Sequence, residues 1–278
     1  ELSEALKVPV MLRIVTRLAH SRAAVQTGTL SGQNPLNICQ ERWVLLPGIA
    51  RKRYIDLIGK QPAMLKAAEN SPFNKTENNG GKLGIIACGI AYNYVKETLG
   101  NSGNILKISQ YPLPVEAIKN LASQCDSLLV AEDGQPVVEE EVRKMLGVDY
   151  KIIGRLTGHL PRTGELTPDN VASALGATPK PKFDMAKNLA PRPPQLCQGC
   201  GHRDVYGALV NIIEEYPDAR VFGDIGCYTL GALPPFKALA SCVDMGASIT
   251  MAKGAADAGL HPAIAVIGDS TFTHSGMT

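Results

Sequence analysis

The sequence predicts an α/β protein built from parallel sheets flanked by helices. Three observations carry that prediction. Between residues 82 and 176, short apolar runs alternate with stretches of roughly ten residues at helical spacing, the pattern of strand–helix–strand units. Further on, two Gly-Asp steps, Gly223-Asp224 and Gly268-Asp269, each close a short apolar run. Such runs mark strands buried on both faces. The hydrophobic content of 45% supports ordinary cores.

Taken in order, residues 1–28 contain Val8–Ile14, which reads as a buried strand, followed by the polar strand end Thr16–Arg22. Arg17 and His20 there are read as surface groups, or as facing the active site or the next domain, and not as catalytic. Residues 29–80 read as a connecting segment, broken by Gly28, Gly32, Asn34, Pro35, Pro47 and Gly48. One helix is expected over 51–70, with Arg51-Lys52-Arg53 solvated and Tyr54, Ile58 and Leu65 turned inward. The polar, Gly-rich stretch 74–81 is a natural boundary.

Residues 81–178 form the alternating block. Strands are expected at Leu83–Cys88, Ile105–Ile108, Leu128–Ala131 and Tyr150–Ile153, and helices at 90–99, 114–125 and 136–146. Ala87-Cys88-Gly89 lacks the Gly-x-Gly-x-x-Gly of a dinucleotide site. Glu132 and Asp133 end a strand before a helix, where acids either line a cleft or simply favour the helix N-terminus, the structural reading being preferred. Residues 179–194 are a linker, since Pro179, Pro181, Pro191, Pro193 and Pro194 forbid sustained helix or central strand. Residues 195–278 make the last domain. Its expected elements are a helix from His202 to Tyr216 with Val205, Leu209, Ile212 and Ile213 on one apolar face, a strand at Val221-Phe222, a small-residue helix from Met245 to Ala258, and a strand from Ala263 to Ile267.

A net charge of +2 in 278 residues, with no basic cluster interleaved with aromatics, argues against nucleic acid. No charge-free apolar run reaches the roughly 18 residues of a membrane span. Seven scattered cysteines are not a secreted disulfide framework, so a reducing cytoplasm is expected. Glu1–Leu6 reads as a helix end without a start, and there is neither an initiator Met nor a signal peptide. The chain is therefore expected to be a fragment cut at both ends.

Open α/β sheets bind ligands at the carboxyl ends of their strands, where both Gly-Asp steps fall. Glycine lets a phosphate approach the backbone, and aspartate offers Mg²⁺ a hard oxygen. Cys197-x-x-Cys200 with Cys227 is a second constellation. It suits part of an iron–sulfur site, a zinc site completed by His202, or thiols that only shape a pocket. Cys242 is a weaker fourth member. His202 opens a helix, His261 lies in a loop, and His274 follows the second Gly-Asp step closely enough to reach a phosphate or substrate.

Together, Cys197-Gln198-Gly199-Cys200-Gly201-His202-Arg203, Gly223–Thr229, Met245-Gly246-Ala247-Ser248, Gly268-Asp269-Ser270 and Thr271–Gly276 resemble the thiamine-diphosphate-binding domain of the 2-oxoacid:ferredoxin oxidoreductases, in the indolepyruvate branch. The resemblance implies a transketolase-like multi-domain architecture. Residues 1–28 would end a pyrimidine-binding-type domain. Residues 81–178 would be a transketolase C-terminal-type domain without chemistry of its own, and 195–278 would be the thiamine-diphosphate-binding domain. It places Mg²⁺ on Asp269, and the cofactor against Gly226, Cys227, Tyr228, Gly246, Gly268, Asp269 and Ser270. It puts a closing metal-binding asparagine after Thr278 and the pyrimidine-activating glutamate before Glu1; His274, five residues after the metal motif, is a candidate to touch the diphosphate or substrate. In the wider family three cysteines at the positions of Cys197, Cys200 and Cys227 surround a cluster. In this branch the [4Fe-4S] clusters belong to a ferredoxin-like segment of the full-length protein. The implied activity is oxidative decarboxylation of an aryl 2-oxoacid to an acyl-CoA. The implied partners are ferredoxin, CoA and a beta subunit in a hetero-oligomer. The rivals are a non-oxidative thiamine-diphosphate decarboxylase or synthase, and a non-catalytic subunit that retains the fold.

Overall fold

A computed structural model describes residues 2–29, 32, 43–179, 190 and 193–277. The expectations for Asn34, Pro35, Pro181 and Pro191 lie outside the described residues. The chain forms two compact units, Glu1–Phe183 and Asp184–Thr278.

The first unit opens with two short helices, α1 (Leu2–Leu6) and α2 (Thr16–Ala19), and the long α3 (Pro47–Glu69). Its sheet is built from β1 (Lys75–Asn79), β2 (Leu83–Cys88), β3 (Gly103–Ile108), β4 (Ser127–Ala131) and β5 (Ile152–Ile153), in the order β1-β3-β2-β4-β5. Helices α4 (Ala91–Leu99), α5 (Val115–Ser123) and α6 (Val137–Leu146) connect the parallel strands, and α7 (Pro168–Ala174) follows. β2 pairs in parallel with β3 and β4, and only β1 runs antiparallel. β2 reads Leu-Gly-Ile-Ile-Ala-Cys because both of its faces are covered. Ile86 and Cys88 face one core with Leu106, Ile118 and Val130. Ile85 and Ala87 face the other with Ala91, Val95, Ile105 and Leu129.

The expected strands and helices of this block are present. Elsewhere the structure corrects the reading. Val8–Ile14 forms no strand, and Met11 and Leu12 are 90% and 87% exposed. A strand needs a neighbour to complete its ladder, and none of the described strands pairs with this segment. Tyr54 and Ile58 of α3 point to solvent, because the helix buries only Ala68 near its C-terminal end. Pro47 starts α3 rather than breaking the chain, since the first turn needs no N–H from it. The polar stretch 74–81 carries β1, an edge strand. Its composition hid it because an edge strand faces solvent and tolerates polar side chains.

β1 is fastened by one carboxylate. Glu77 accepts from the Tyr92 hydroxyl at 2.5 Å and from Lys96 Nζ at 2.7 Å, with Lys75 Nζ at 3.3 Å. The Lys96 bond, then the Tyr92 bond, hold its pKa down, from an ordinary 4.5 to about 2. A depressed carboxylate stabilises the fold above its unfolded pKa, and that contribution is lost as pH falls through the folded value. Between pH 4.5 and about 2 the protein should therefore lose on the order of 1 kcal/mol that Glu77→Gln does not lose, the pair being near the surface. Parallel pH–stability curves from urea titrations of the two proteins would contradict this.

Candidate functional site

The second unit holds a three-stranded parallel sheet. Its elements are α8 (Gly201–Ile213), β6 (Arg220–Gly223), a 3-10 turn (Cys227–Ala232), β7 (Ser241–Cys242), α9 (Ala247–Asp257), β8 (Ala263–Val266), the one-turn α10 (Asp269–Thr271) and a π turn (Phe272–Gly276). The order is β7-β6-β8, with Gly223 opposite Val266. Both Gly-Asp steps therefore leave the same edge of one sheet, side by side, as the sequence predicts. β7 went unseen because a strand of two residues has no periodicity to read. α8 also turns differently from the expectation. It buries Tyr206, while Val205 and Ile212 are 51% and 53% exposed. Tyr206 takes the inward position because its ring packs onto Gly231, where any Cβ would lie 2.3 Å from it.

The two aspartates have opposite environments. Asp224 is fully buried. One of its oxygens accepts from the Tyr228 hydroxyl. The other accepts from the Gly246 N–H at 3.1 Å, the Ser248 N–H at 3.3 Å and the Ser248 hydroxyl at 2.7 Å. Gly246 is the N-cap of α9, so the carboxylate also sits at the positive end of that helix. Four donors converge on Asp224, three on one oxygen and one on the other, and its side chain is closed off from solvent. Asp269 is exposed, and one oxygen accepts only the neighbouring Ser270 N–H at 2.7 Å. Its other oxygen has no protein donor among the described residues. Residue spacing does not separate the two steps, and the family resemblance alone chose Asp269, because the Gly246 and Ser248 donors to Asp224 come from a helix start more than twenty residues on.

The strand-end loops are tied to one another. Tyr228 is 2% exposed, and its ring lies against both glycine turns: a Cβ on Gly226 would sit 2.3 Å from the ring and one on Gly268 2.7 Å from it. His202 stacks on the other side of Tyr228, with centroids 5.4 Å apart. The Tyr206 hydroxyl donates to the Tyr228 carbonyl at 2.8 Å. Burial, then the nearby Asp224, Cys227 and Cys200, push the Tyr206 phenol up to about 12, so it stays a donor. Thr271 donates to the Ile225 carbonyl at 3.5 Å. Gly246 has φ +92 and packs against the Ser275 backbone, so glycine is required there twice over. His274 is exposed and pairs with the Ser275 hydroxyl at 2.5 Å; His261 is also exposed.

The cysteines lie around this assembly. Cys200 Sγ is 3.5 Å from His202 Nδ1, and Cys242 Sγ is 3.7 Å from the Asp224 carbonyl. Cys197 and Cys227 are exposed. Among the described residues, no group of three or more His, Cys, Asp or Glu side chains is placed to hold a metal ion. The donor chemistry at Asp269 nonetheless fits Mg²⁺ with a diphosphate. That ion takes one or two protein carboxylates and fills its shell with phosphate oxygens and water. Within the Gly268–Thr271 turn the Ser270 N–H is taken by the Asp269 carboxylate, and Gly268, at the start of the turn, has no side chain to cap it.

The first unit has a cleft of its own, of about 1060 Å³, at the carboxyl ends of β2, β3 and β4. Arg13, Arg17, Cys88, Lys107, Glu132 and Glu165 are among its lining. Its charges are largely engaged within the unit. Arg17 pairs with Glu165 at 2.8 Å, and Asp133 with Arg155 at 3.2 Å. Glu132 accepts from the Val138 and Glu139 N–H groups at 2.9 and 2.8 Å, which makes it the cap of α6. Glu132 thus serves the helix start as expected, whereas Asp133 accepts instead from Arg155 and from the Leu166 N–H, and both acids also line the cleft. Burial raises the Glu132 carboxyl and pushes the Cys88 thiol up.

Two predictions follow from this geometry. Gly226→Ala and Gly268→Ala should each destabilise the protein by about 1–3 kcal/mol through overpacking on Tyr228, whereas Gly207→Ala, inside α8 with open space at its Cα, should stabilise it by about 0.5–1 kcal/mol. Urea unfolding reads both signs, and equal effects at all three positions would contradict the packing described. Iron content of anaerobically purified protein should be the same in Cys200→Ala as in the unsubstituted chain, given the scattered thiols; lost iron would restore shared ligation.

No family model matches the chain. No solved structure matches it. Curated relatives do. The Indolepyruvate oxidoreductase subunit IorA of Archaeoglobus fulgidus is 35% identical over 297 residues, covering 100% of this chain and 47% of that protein. The subunit of the same name from Methanothermobacter thermautotrophicus is 35% identical, covering 100% and 48%. That of Pyrococcus abyssi is 32% identical over 325 residues, covering 100% and 49%. The chain thus spans about half the length of the curated relatives it matches. Over that span it belongs to the family of the indolepyruvate oxidoreductase IorA subunits.

Proposed function

We propose that the chain is part of a thiamine-diphosphate-dependent oxidoreductase subunit that acts on an aryl 2-oxoacid of the indolepyruvate type, yields an acyl-CoA and passes electrons to ferredoxin. The observation that carries the reading is the contrast between the two strand-end aspartates. One is sealed by four donors, and the other is exposed, with one oxygen that has no protein donor among the described residues. The names of the relatives support the oxidoreductase class, and the word subunit in them supports an assembly with other chains; the partner in this reading is a beta subunit.

In this reading Asp269 holds Mg²⁺, and the Gly268–Ser270 backbone holds the diphosphate. When bound, thiamine diphosphate would supply the carbon nucleophile and the electron sink that decarboxylation needs. Gly226, Gly246 and Tyr228 shape the wall behind that turn. His274 stands exposed on the π turn, within the same loop cluster, where it can meet a phosphate or a substrate carboxylate. Cys227 lies on the loop between Asp224 and Tyr228, where a small soft side chain borders the cofactor. The [4Fe-4S] clusters that take the electrons are assigned to the full-length protein, which operates in the cytoplasm. No helix among the described residues is long and apolar enough to cross a membrane.

The test is calorimetry on the full-length protein with thiamine diphosphate and Mg²⁺. Asp269→Ala should weaken Mg²⁺-dependent binding by on the order of 100-fold, about 2.7 kcal/mol, because a charge-assisted metal contact is lost. Affinity unchanged in the variant would reduce the motif to a turn. Reduction of ferredoxin or a viologen dye by indolepyruvate, dependent on CoA, separates this function from a non-oxidative decarboxylase and from a non-catalytic subunit.

A further inference from the structure

The glycine of the second Gly-Asp step is explained inside the protein. The space over the Gly268 Cα is filled by the Tyr228 ring, and the same ring fills the space over Gly226. That ring is held at three points. Its hydroxyl donates to buried Asp224, one face is covered by the His202 imidazole, and its own backbone carbonyl accepts from Tyr206. At 2% exposure the side chain is closed off from solvent, so it meets no ligand in this arrangement. It lies directly behind the turn that carries the exposed Asp269 carboxylate.

We infer that Tyr228 is a positioning residue: clamped by Asp224 and His202, its ring backs the Gly268–Asp269 turn and sets where the Asp269 carboxylate and the adjoining N–H groups lie for a metal-bound diphosphate. The inference rests on the cofactor reading above and assigns Tyr228 no contact with the cofactor. The physical reason is packing. A turn that lacks a Cβ has few conformational restraints of its own, and close contact with a fixed aromatic surface removes that freedom. Ligand affinity then benefits because the turn is ordered before binding.

Two readouts on the intact protein test it, with Tyr228→Ala and the ring-retaining Tyr228→Phe. The first is amide hydrogen exchange without cofactor. The amide to follow is that of Phe272, which donates to the Gly268 carbonyl at 2.8 Å and closes the turn. In Tyr228→Ala its exchange should rise about tenfold or more over the unsubstituted protein, while the β6 amides at 221–223 keep their protection. In Tyr228→Phe the rise should be at most a few-fold. A uniform rise through β6 and Phe272 would mean general destabilisation, and no rise at Phe272 would mean that the ring does not hold the turn; either overturns the inference. The second is calorimetry with thiamine diphosphate and Mg²⁺. Tyr228→Ala should bind about tenfold more weakly, and Tyr228→Phe within about threefold of the unsubstituted protein. Equal or tighter binding by Tyr228→Ala would make the ring a bystander or an obstacle and would also overturn it. If the unsubstituted protein binds no thiamine diphosphate, the cofactor reading fails, and with it the ligand half of the inference; the exchange result then decides separately whether the ring holds the turn.

Discussion

The second unit depends on one buried carboxylate. Asp224 is fully buried, and it is tolerated there because four donors converge on its two oxygens. Those donors come from the turn after β6 and from the start of α9, so a single group joins elements that lie apart in the chain. Removing the carboxylate would leave several buried donors unsatisfied, at about 1–3 kcal/mol each. Through Tyr228 the same group reaches the Gly268 turn, and through Gly246 it reaches the π turn at Ser275. The two Gly-Asp steps are thus unlike partners: one builds the support, and the other faces outward from it.

This division of labour changes what the glycines mean. A Gly-Asp step at a strand end suggests a backbone cleared for phosphate. Here Gly226 and Gly268 are cleared for an aromatic ring, and Gly246 for a backbone carbonyl. The demand for a missing Cβ is the same in each case, so sequence cannot distinguish an internal neighbour from a ligand. The free edge of the site is instead marked by the Asp269 oxygen that has no protein donor among the described residues.

The first unit was largely legible because its signal is local. Continuous apolar strands and helices ending in glycine, such as Gly100 and Gly147 at positive φ, repeat with the period of the fold. What sequence missed has a common cause. β1 is polar because it lies at an edge, β7 is too short for a pattern, and Val8–Ile14 looks like a strand although no described strand pairs with it. Each depends on neighbours distant in the chain. The site divides in the same way. The family motifs located its loops, but the pairing of Asp224 with Ser248 and the sealing of Tyr228 are tertiary facts that no local spacing encodes.

The most direct test of the account is where a metal sits. Crystals of the full-length protein grown with thiamine diphosphate and Mn²⁺ in place of Mg²⁺ would locate the ion by anomalous diffraction. The account predicts a peak at bonding distance, roughly 2.0–2.2 Å, from an Asp269 carboxylate oxygen, with the Asp224 carboxylate still enclosed by Tyr228, Gly246 and Ser248. A peak on Asp224, or in the cleft of the first unit with Asp269 unliganded, would contradict it.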